Sequence, residues 1–322
     1  MVFDDPEGHG DVAHGTTVAT NALLQRRGAR TAFVTTAGFG DLLRLGRGER
    51  DDLYALEPRP RDCLVPAERT YEVVERLASD GMEIVPLDRA SLLAAARDVG
   101  RAGVEAVAVC LLFSYLDSRH EREVGRLLAR HGPEGLYVSL SAAVAPEFRE
   151  YERASTTVVN AFVGPTVARY LRDLEAGLRP RRLWIMGSHA GTLAAAEAAR
   201  LPVATVLSGP AAGVTGAVAV GRRCGHERLL TLDMGGTSTD VALCAGAAPF
   251  APAITVAGLL VHRPAVDVHT VGAGGGSYVR IDEGGALRVG PESAGAVPGP
   301  ASYGRGGRGP TVTAANAGLG RL

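Results

Sequence analysis

The alternation of apolar and polar residues is most informative over 229–243. Leu229-Leu230-Thr231-Leu232 is mostly apolar, Gly235-Gly236 is a turn, Thr237-Ser238-Thr239 is a hydroxyl run, and Val241-Ala242-Leu243 is apolar again. Two strand-like runs joined by so short a glycine loop predict a β-hairpin. The continuous apolar run 104–113 is too short to cross a membrane and suits a strand covered on both faces. Further strands are expected over 30–36, 70–77, 136–144, 182–186 and 203–207. Helices are expected where a capping residue precedes helical spacing: near Thr16 or Thr17, after Asp88, after Ser118, and after Ser208 with Pro210 in the first turn. The longest helical tract, 147–178, reads as broken at Gly164-Pro165. Residues 56–66 are proline-rich and read as an extended connector, and 287–307 as a loop region without periodicity. Helix and strand alternate, so the expected class is α/β.

The hairpin carries the candidate chemistry. Gly235 and Gly236 let the backbone approach a ligand closely, and successive N–H groups in such a turn form an anion-binding nest. Thr237, Ser238 and Thr239 add hydroxyl donors, while Asp233 and Asp240 bracket the turn with negative charge. Carboxylates beside a phosphate nest call for a cation between them. Mg²⁺ held through carboxylates, waters and phosphate oxygens meets that need. The plain alternative is an ordinary tight hairpin with polar turn residues.

Composition narrows the classes. At 322 residues the chain suggests two domains or one large one, and 46% hydrophobic with 21% charged residues supports a substantial core. A net charge of −1 argues against a broad electrostatic grip on nucleic acid or an anionic membrane. The basic residues are all arginine, which excludes a P-loop or Schiff-base lysine from this chain. Cys63, Cys110, Cys224 and Cys244 are far apart and fit a reducing cytoplasm rather than a disulfide framework, with Cys110 and Cys244 expected in the core. No signal peptide is legible, because the first residues are acidic and polar.

A second chemical stretch is Asp267-Val268-His269-Thr270-Val271-Gly272-Ala273-Gly274-Gly275-Gly276-Ser277. Asp267 and His269, two apart on a strand, point to one face and could serve a metal or orient one another, or form a plain surface pair. Ser277 stands where GxGxxG would need its last small residue, so a loop against a nucleotide base or ribose, through Gly272, Gly274, Gly275 and Gly276, suits it better than dinucleotide binding. His14, Thr16 and Thr17 lie where a helix start could meet an anion, although capping explains the threonines equally well. Arg44, Arg47 and Arg50 could bind anions or form a solvated basic face, and Glu147, Glu150 and Glu152 read as a solvated or ion-paired helix face. The strand and glycine loop ending at 187–192 is a common ligand position in open α/β sheets, with His189 read as a solvated loop residue.

Asp233-Met-Gly-Gly-Thr-Ser-Thr-Asp240 resembles the second phosphate loop of the hydantoinase A/5-oxoprolinase family, which belongs to the actin, sugar kinase and heat-shock chaperone ATPase superfamily. HGTTVATNALL from His14, REYERASTTVVNA, SGPAAG from Ser208, HTVGAGGGS from His269, and the PESAG, PGP and YGRGG strings are similar to the same family. The resemblance implies actin-like ATPase (ribonuclease H-like) domains with mixed sheets and flanking helices. Residues 1–180 would be the amino-terminal-type domain and 181–322 the ATPase-type domain. It implies ATP and Mg²⁺, or another divalent metal, as cofactors, and ATP-dependent opening of a small cyclic amide such as a hydantoin or 5-oxoproline. A hydantoinase B-like second subunit and an oligomer are expected with it. On this resemblance Asp233, Asp240 and His14 are the catalytic candidates. Gly235, Gly236, Thr237, Ser238, Thr239, the glycines of 272–276, Thr16 and Thr17 are the nucleotide candidates, and Asp233, Asp267 and His269 the metal candidates.

Three departures matter. The family tends to read Ser-Asn-Gly-Gly where this chain has Ser188-His189-Ala190-Gly191, and a carboxylate where it has Ala314. No Asp-Ile-Gly-Gly-Thr-Phe-Thr-Asp string precedes His14, and family members run past the Gly-Leu-Gly-Arg-Leu ending, so the chain reads as an internal section incomplete at both ends. Besides the cyclic-amide reading stand a nucleotide subunit of a ketone carboxylase-like complex and a non-catalytic nucleotide-binding remnant.

Overall fold

The computed structural model describes residues 10–49, 54–57, 61–178 and 181–322. The first nine residues, Arg50 and part of the proline-rich connector lie outside them. Contacts divide the chain into two compact units: residues 1–209 with 251–265, and residues 210–250 with 266–322. This division falls elsewhere than residue 180.

Unit one begins with strand β1 (Val12–His14) and helix α1 (Val18–Leu24). A parallel sheet follows, with spatial order β3 (Thr70–Val73), β2 (Thr31–Thr36), β4 (Ala106–Cys110), β5 (Tyr137–Leu140). The central β4 reads Ala-Val-Ala-Val-Cys and is buried throughout. Strand alternation sorts its side chains: Val107 and Val109 join Ala32 and Val34 on one face, while Ala106, Ala108 and Cys110 join Phe33 on the other. The first face is covered by α2 (Arg89–Arg101) and α3 (Arg119–His131) through Leu92, Ala96, Val124 and Leu128. The second is covered by α4 (Glu150–Leu178) through Ala154, Val158 and Ala161. Covering both faces explains why the run 104–113 is apolar without alternation. Asp88 caps α2 as expected, its Oδ2 accepting from Ser91 N at 2.7 Å.

Four expectations for unit one are corrected by the structure. The tract 147–178 is one continuous helix from Glu150, with Pro165 inside it. A mid-helix proline costs about 3 kcal/mol, and the burial of Ala154, Val158 and Ala161 on one side and Val159, Val163 and Val167 on another offsets that. Residues 203–207 are not a strand. Pro202–Thr205 is a 3₁₀ turn, its backbone satisfied by side chains: Val203 N donates to Asn160 Oδ1 at 3.1 Å, and Ser188 Oγ donates to Ala204 O at 2.8 Å. The strand of 136–144 stops at Leu140, and Ser141–Val144 is helical. The strand expected over 70–77 divides into β3 and a short segment, Arg76–Leu77.

Buried polar groups sit at the carboxyl ends of β2 and β4. Arg153, fully buried, donates to Leu111 O at 2.8 Å and to Ser114 and Ser141, 3.8 Å from Glu121. Glu152 is buried and paired with Arg47 at 2.7 Å, the ion-paired form of the expected face, so Arg47 already holds a carboxylate. Strand β6 (Leu183–Met186) runs parallel to β1 and antiparallel to β7 (Thr192–Ala194), which precedes helix α5 (Ala195–Arg200). Helix α6 (Ser208–Arg223) crosses the division after Gly209.

Unit two is built on an antiparallel sheet of β8 (Arg228–Met234), β9 (Thr239–Ala245) and β10 (His269–Val271). The hairpin expected over 229–243 is present, in the register Leu230 with Leu243 and Leu232 with Val241. The stretch expected to be loop after Leu287 is instead the second strand of a hairpin, β11 (Ser277–Ile281) with β12 (Leu287–Ser293). Helix α7 (Val312–Gly318) is capped by Thr311, whose Oγ1 accepts from Ala314 N at 3.1 Å. All four cysteines are free, with Cys110 and Cys244 buried. No helix among the described residues is long and apolar enough to cross a membrane.

Candidate functional site

In unit two the two glycine-rich stretches lie against each other. The turn joining β8 to β9 is closed by Gly235 N donating to Ser238 O at 2.9 Å. Gly275 N donates to Gly235 O at 2.9 Å and Gly276 N to Gly236 O at 2.7 Å. The loop after β10 thus lies on the hairpin turn, backbone to backbone. A Cβ on Gly274 would sit 2.6 Å from Gly235 O and 2.7 Å from Ser238 N, so only glycine allows the approach.

Side chains lock this pair of loops. Thr239 Oγ1 donates to Ala273 O at 2.5 Å, Gly274 N donates to Ser277 Oγ at 2.9 Å, and Thr313 donates to Gly275 O through its N at 2.8 Å and its Oγ1 at 2.7 Å. Ser277, which breaks the GxGxxG pattern, closes the loop on itself. Nothing in the sequence around Thr313 signals this role, because it depends on a loop 38 residues away.

The donors of the turn point elsewhere. Among the described residues the N–H groups of Gly236, Thr237 and Ser238 and the hydroxyls of Thr237 and Ser238 have no hydrogen-bond partner. Three consecutive free N–H groups with two free hydroxyls suit an anion. Thr239 is buried and its hydroxyl is engaged, so it holds the loop rather than facing a ligand. Asp233 and Asp240 are direct cross-strand partners, with Thr270 next in the row, donating to Asp240 Oδ1 at 2.7 Å.

The metal candidates are not brought together. His269 pairs with Val241, one residue out of step with the row of Asp233, Asp240 and Thr270. Strand alternation therefore puts it on the opposite face of the sheet from both aspartates. Asp267 precedes β10 and is exposed, its N donating to Pro249 O at 2.9 Å. Among the described residues no three His, Cys, Asp or Glu side chains gather to hold a metal. A cation at Asp233 would take its remaining ligands from water and phosphate, which Mg²⁺ does.

In unit one His14 ends strand β1, and its Nε2 lies 2.7 Å from the Tyr170 hydroxyl. Burial lowers its pKa from the ordinary histidine value. Thr16 is buried: its Oγ1 accepts from Val18 N at 3.2 Å, and Ser208 Oγ donates to its carbonyl at 2.9 Å. Thr17 is exposed and accepts from Asn21 Nδ2 at 3.2 Å. The glycine loop after β6 returns as a strand rather than entering a helix directly, with His189 exposed on it.

The chain is similar to known proteins along nearly its whole length. The chain resembles a nucleotide-free acetone carboxylase structure, whose description names ATP-dependent acetone carboxylation, with a TM-score of 0.80 and 29% identity over 97% of this chain and 46% of that one. It is 36% identical to caprolactamase subunit alpha of Pseudomonas jessenii over 96% of the chain and 45% of the relative. It is 34% identical to 5-oxoprolinase of Saccharomyces cerevisiae over 96% of the chain and 26% of the relative. The fold is the α/β type of the actin-like ATPases. The hydantoinase/oxoprolinase profile matches residues 153–322, and that of the hydantoinase/oxoprolinase N-terminal region matches 4–132. The chain belongs to the hydantoinase/oxoprolinase family. It spans less than half the length of the relatives it matches.

Proposed function

We propose that this chain binds ATP with Mg²⁺ at the 235–238 turn, as part of an enzyme that opens a small cyclic amide of the hydantoin or 5-oxoproline type. The observation that carries this reading is the turn itself: three free N–H groups beside Asp233, held in place by the 272–277 loop. Asp233 orients the cation through water or directly. The N–H groups and the hydroxyls of Thr237 and Ser238 donate hydrogen bonds to phosphate oxygens, and Gly272 to Gly276 back the turn. Bound ATP would supply the phosphoryl group that turns a poor amide leaving group into a better one. Asp240, oriented by Thr270, and His14, kept neutral by burial, are the remaining candidates for proton handling. Asp267 and His269, which form no ion pair with each other among the described residues, have no assigned role in it.

In this proposal residues 1–180 form the amino-terminal-type region and 181–322 the ATPase-type region. The chain works in the cytoplasm, in an oligomer with a hydantoinase B-like second subunit. The caprolactamase relative is named as a subunit alpha, which supports a partner.

The experiment is calorimetric titration of the purified chain with ATP, with and without Mg²⁺, for the unaltered protein and Asp233→Ala. The substitution weakens Mg²⁺-dependent binding far more than metal-free binding; equal loss in both would reject the metal role. A folded chain that binds no nucleotide would reject the reading. A second reading, a nucleotide subunit of a ketone carboxylase-like complex, rests on the similarity to the acetone carboxylase structure. Dependence of ATP turnover on a ketone and bicarbonate, rather than on a cyclic amide, would select it. Binding without turnover in the presence of a partner subunit would select a non-catalytic remnant.

A further inference from the structure

Unit one contains a cavity of about 300 Å³ that the nucleotide reading does not use. It is bounded by the loop after β6, helix α5, the turn Pro202–Thr205 and the hairpin of Ile254–Val256 with Leu259–Val261. Leu193, Val203, Ile254 and Val261 give it an apolar wall. Two opposite charges, Arg263 and Glu197, line it as well. A largely apolar pocket with a few convergent polar groups is the usual form of a small-molecule site.

The two charges are set differently. Arg263 Nη1 donates to Val144 O at 2.6 Å, which anchors the guanidinium. Among the described residues its Nε and Nη2 have no hydrogen-bond partner, and no carboxylate stands within 4.0 Å of it. Burial lowers its pKa from the ordinary value, and Glu147 and Glu197 oppose that from longer range. A half-buried, anchored guanidinium with unused donors matches a carboxylate. Glu197 is exposed and forms no ion pair among the described residues. It matches an ammonium group.

We propose that this cavity binds a small amino carboxylate, with the carboxylate on Arg263, the ammonium on Glu197, and the hydrocarbon part along Leu193, Val203, Ile254 and Val261. The site stands without nucleotide. Ring-opened lactams, 5-oxoproline among them, are amino carboxylates, so for a lactam substrate the cavity is a product site of the same enzyme; that last step alone rests on the proposed function.

The test is titration of the intact chain with 6-aminohexanoate in the absence of nucleotide, beside hexanoate, hexylamine and the neutral ring ε-caprolactam. The amino carboxylate binds about tenfold or more tightly than either singly charged probe, as loss of one charge-assisted hydrogen bond predicts. Arg263→Gln lowers that affinity about tenfold, and Arg263→Lys retains part of it. Arg263 also supports Val144, so Glu197→Gln, on the exposed helix, is the second variant, and it reduces affinity for 6-aminohexanoate but not for hexanoate. Binding of ε-caprolactam as tight as that of 6-aminohexanoate, no change with Glu197→Gln, or no amino carboxylate binding at 10 mM (about the limit of a useful site, a Kd of 1 mM corresponding to roughly −4 kcal/mol) would overturn the proposal. Loss of ATP binding with this site intact would instead reject the nucleotide reading.

Discussion

Asp233 and Asp240 face each other directly across the hairpin, two carboxylates in one cross-strand pair. Only Asp240 has a donor among the described residues, the Thr270 hydroxyl at 2.7 Å. Like charges in this position destabilise a hairpin. The arrangement is explained when a cation lies beside the pair. Asp233→Asn is therefore expected to raise the stability of the metal-free chain, by on the order of 0.5 kcal/mol, while lowering Mg²⁺-dependent ATP affinity. Denaturant unfolding and calorimetry of the same variant check both halves. A variant that loses stability in metal-free buffer would contradict the account.

Gly274 and Gly236 are expected to separate packing from binding. Gly274→Ala places a methyl 2.6 to 2.8 Å from three backbone atoms of the hairpin turn, with no flexible side chain to give way. Overpacking of this kind costs about 1–3 kcal/mol. A Cβ on Gly236 meets nothing within 4 Å, and its φ is not in the left-handed region. Gly236→Ala leaves the melting temperature nearly unchanged but weakens ATP binding, because the methyl enters the space beside the free N–H groups. Equal melting temperatures for the two variants would remove the packing argument.

Ala190 holds a left-handed backbone at φ +63° between Ser188-His189 and Gly191. An L-residue pays about 1–2 kcal/mol in that conformation, part of which glycine returns as unfolded-state entropy. Ala190→Gly, which restores the family's small residue at this point, is expected to stabilise unit one by roughly 0.5–1 kcal/mol. Chemical denaturation followed by tryptophan fluorescence reads it directly, since Trp184 lies on β6. A destabilised variant would show that the Cβ is supported by packing.

Alkaline pH is expected to weaken the fold through Cys110 and Tyr137. Burial pushes the Cys110 thiol from 9.0 up to about 11 and the Tyr137 hydroxyl from 10.0 up to about 12. Between the ordinary and the raised value the unfolded chain has released a proton that the folded chain retains, so stability falls as pH rises. The loss begins near the ordinary thiol value and continues to the raised ones, at up to about 1.4 kcal/mol per pH unit for each group. Below it the contribution is intact. Urea midpoints between pH 8 and 11 test this, and Cys110→Ala should flatten the lower part of the curve. The exposed Cys224 should react with iodoacetamide at pH 8 while Cys110 does not.

Much of the architecture was legible because local physics determines it. The all-apolar run at 106–110 requires cover on both faces, and Asp88 before an amphipathic run requires a helix start. The misread segments are those where tertiary packing overrides local preference. Pro165 reads as a break, yet buried neighbours on both sides carry the helix through it. Residues 203–207 have strand composition, but Asn160 and Ser188 satisfy their backbone in a 3₁₀ turn. Asp267-Val-His269 has the spacing of a ligand pair, but spacing within one strand is silent about its register with the next.

The sequence by itself determined the α/β class, the hairpin at 229–243, its glycine turn with flanking carboxylates, and the family. These depend on residues close in the chain, whose sterics and hydrogen bonding act over a few bonds. Only the tertiary structure decided that His269 lies across the sheet from Asp233, that Gly274 serves the contact between two loops, that Thr313 locks that contact, and that Arg263 and Glu197 share a cavity. Each of these joins residues tens of positions apart, and their meeting depends on strand register and on the packing of side chains between elements, which no local pattern encodes.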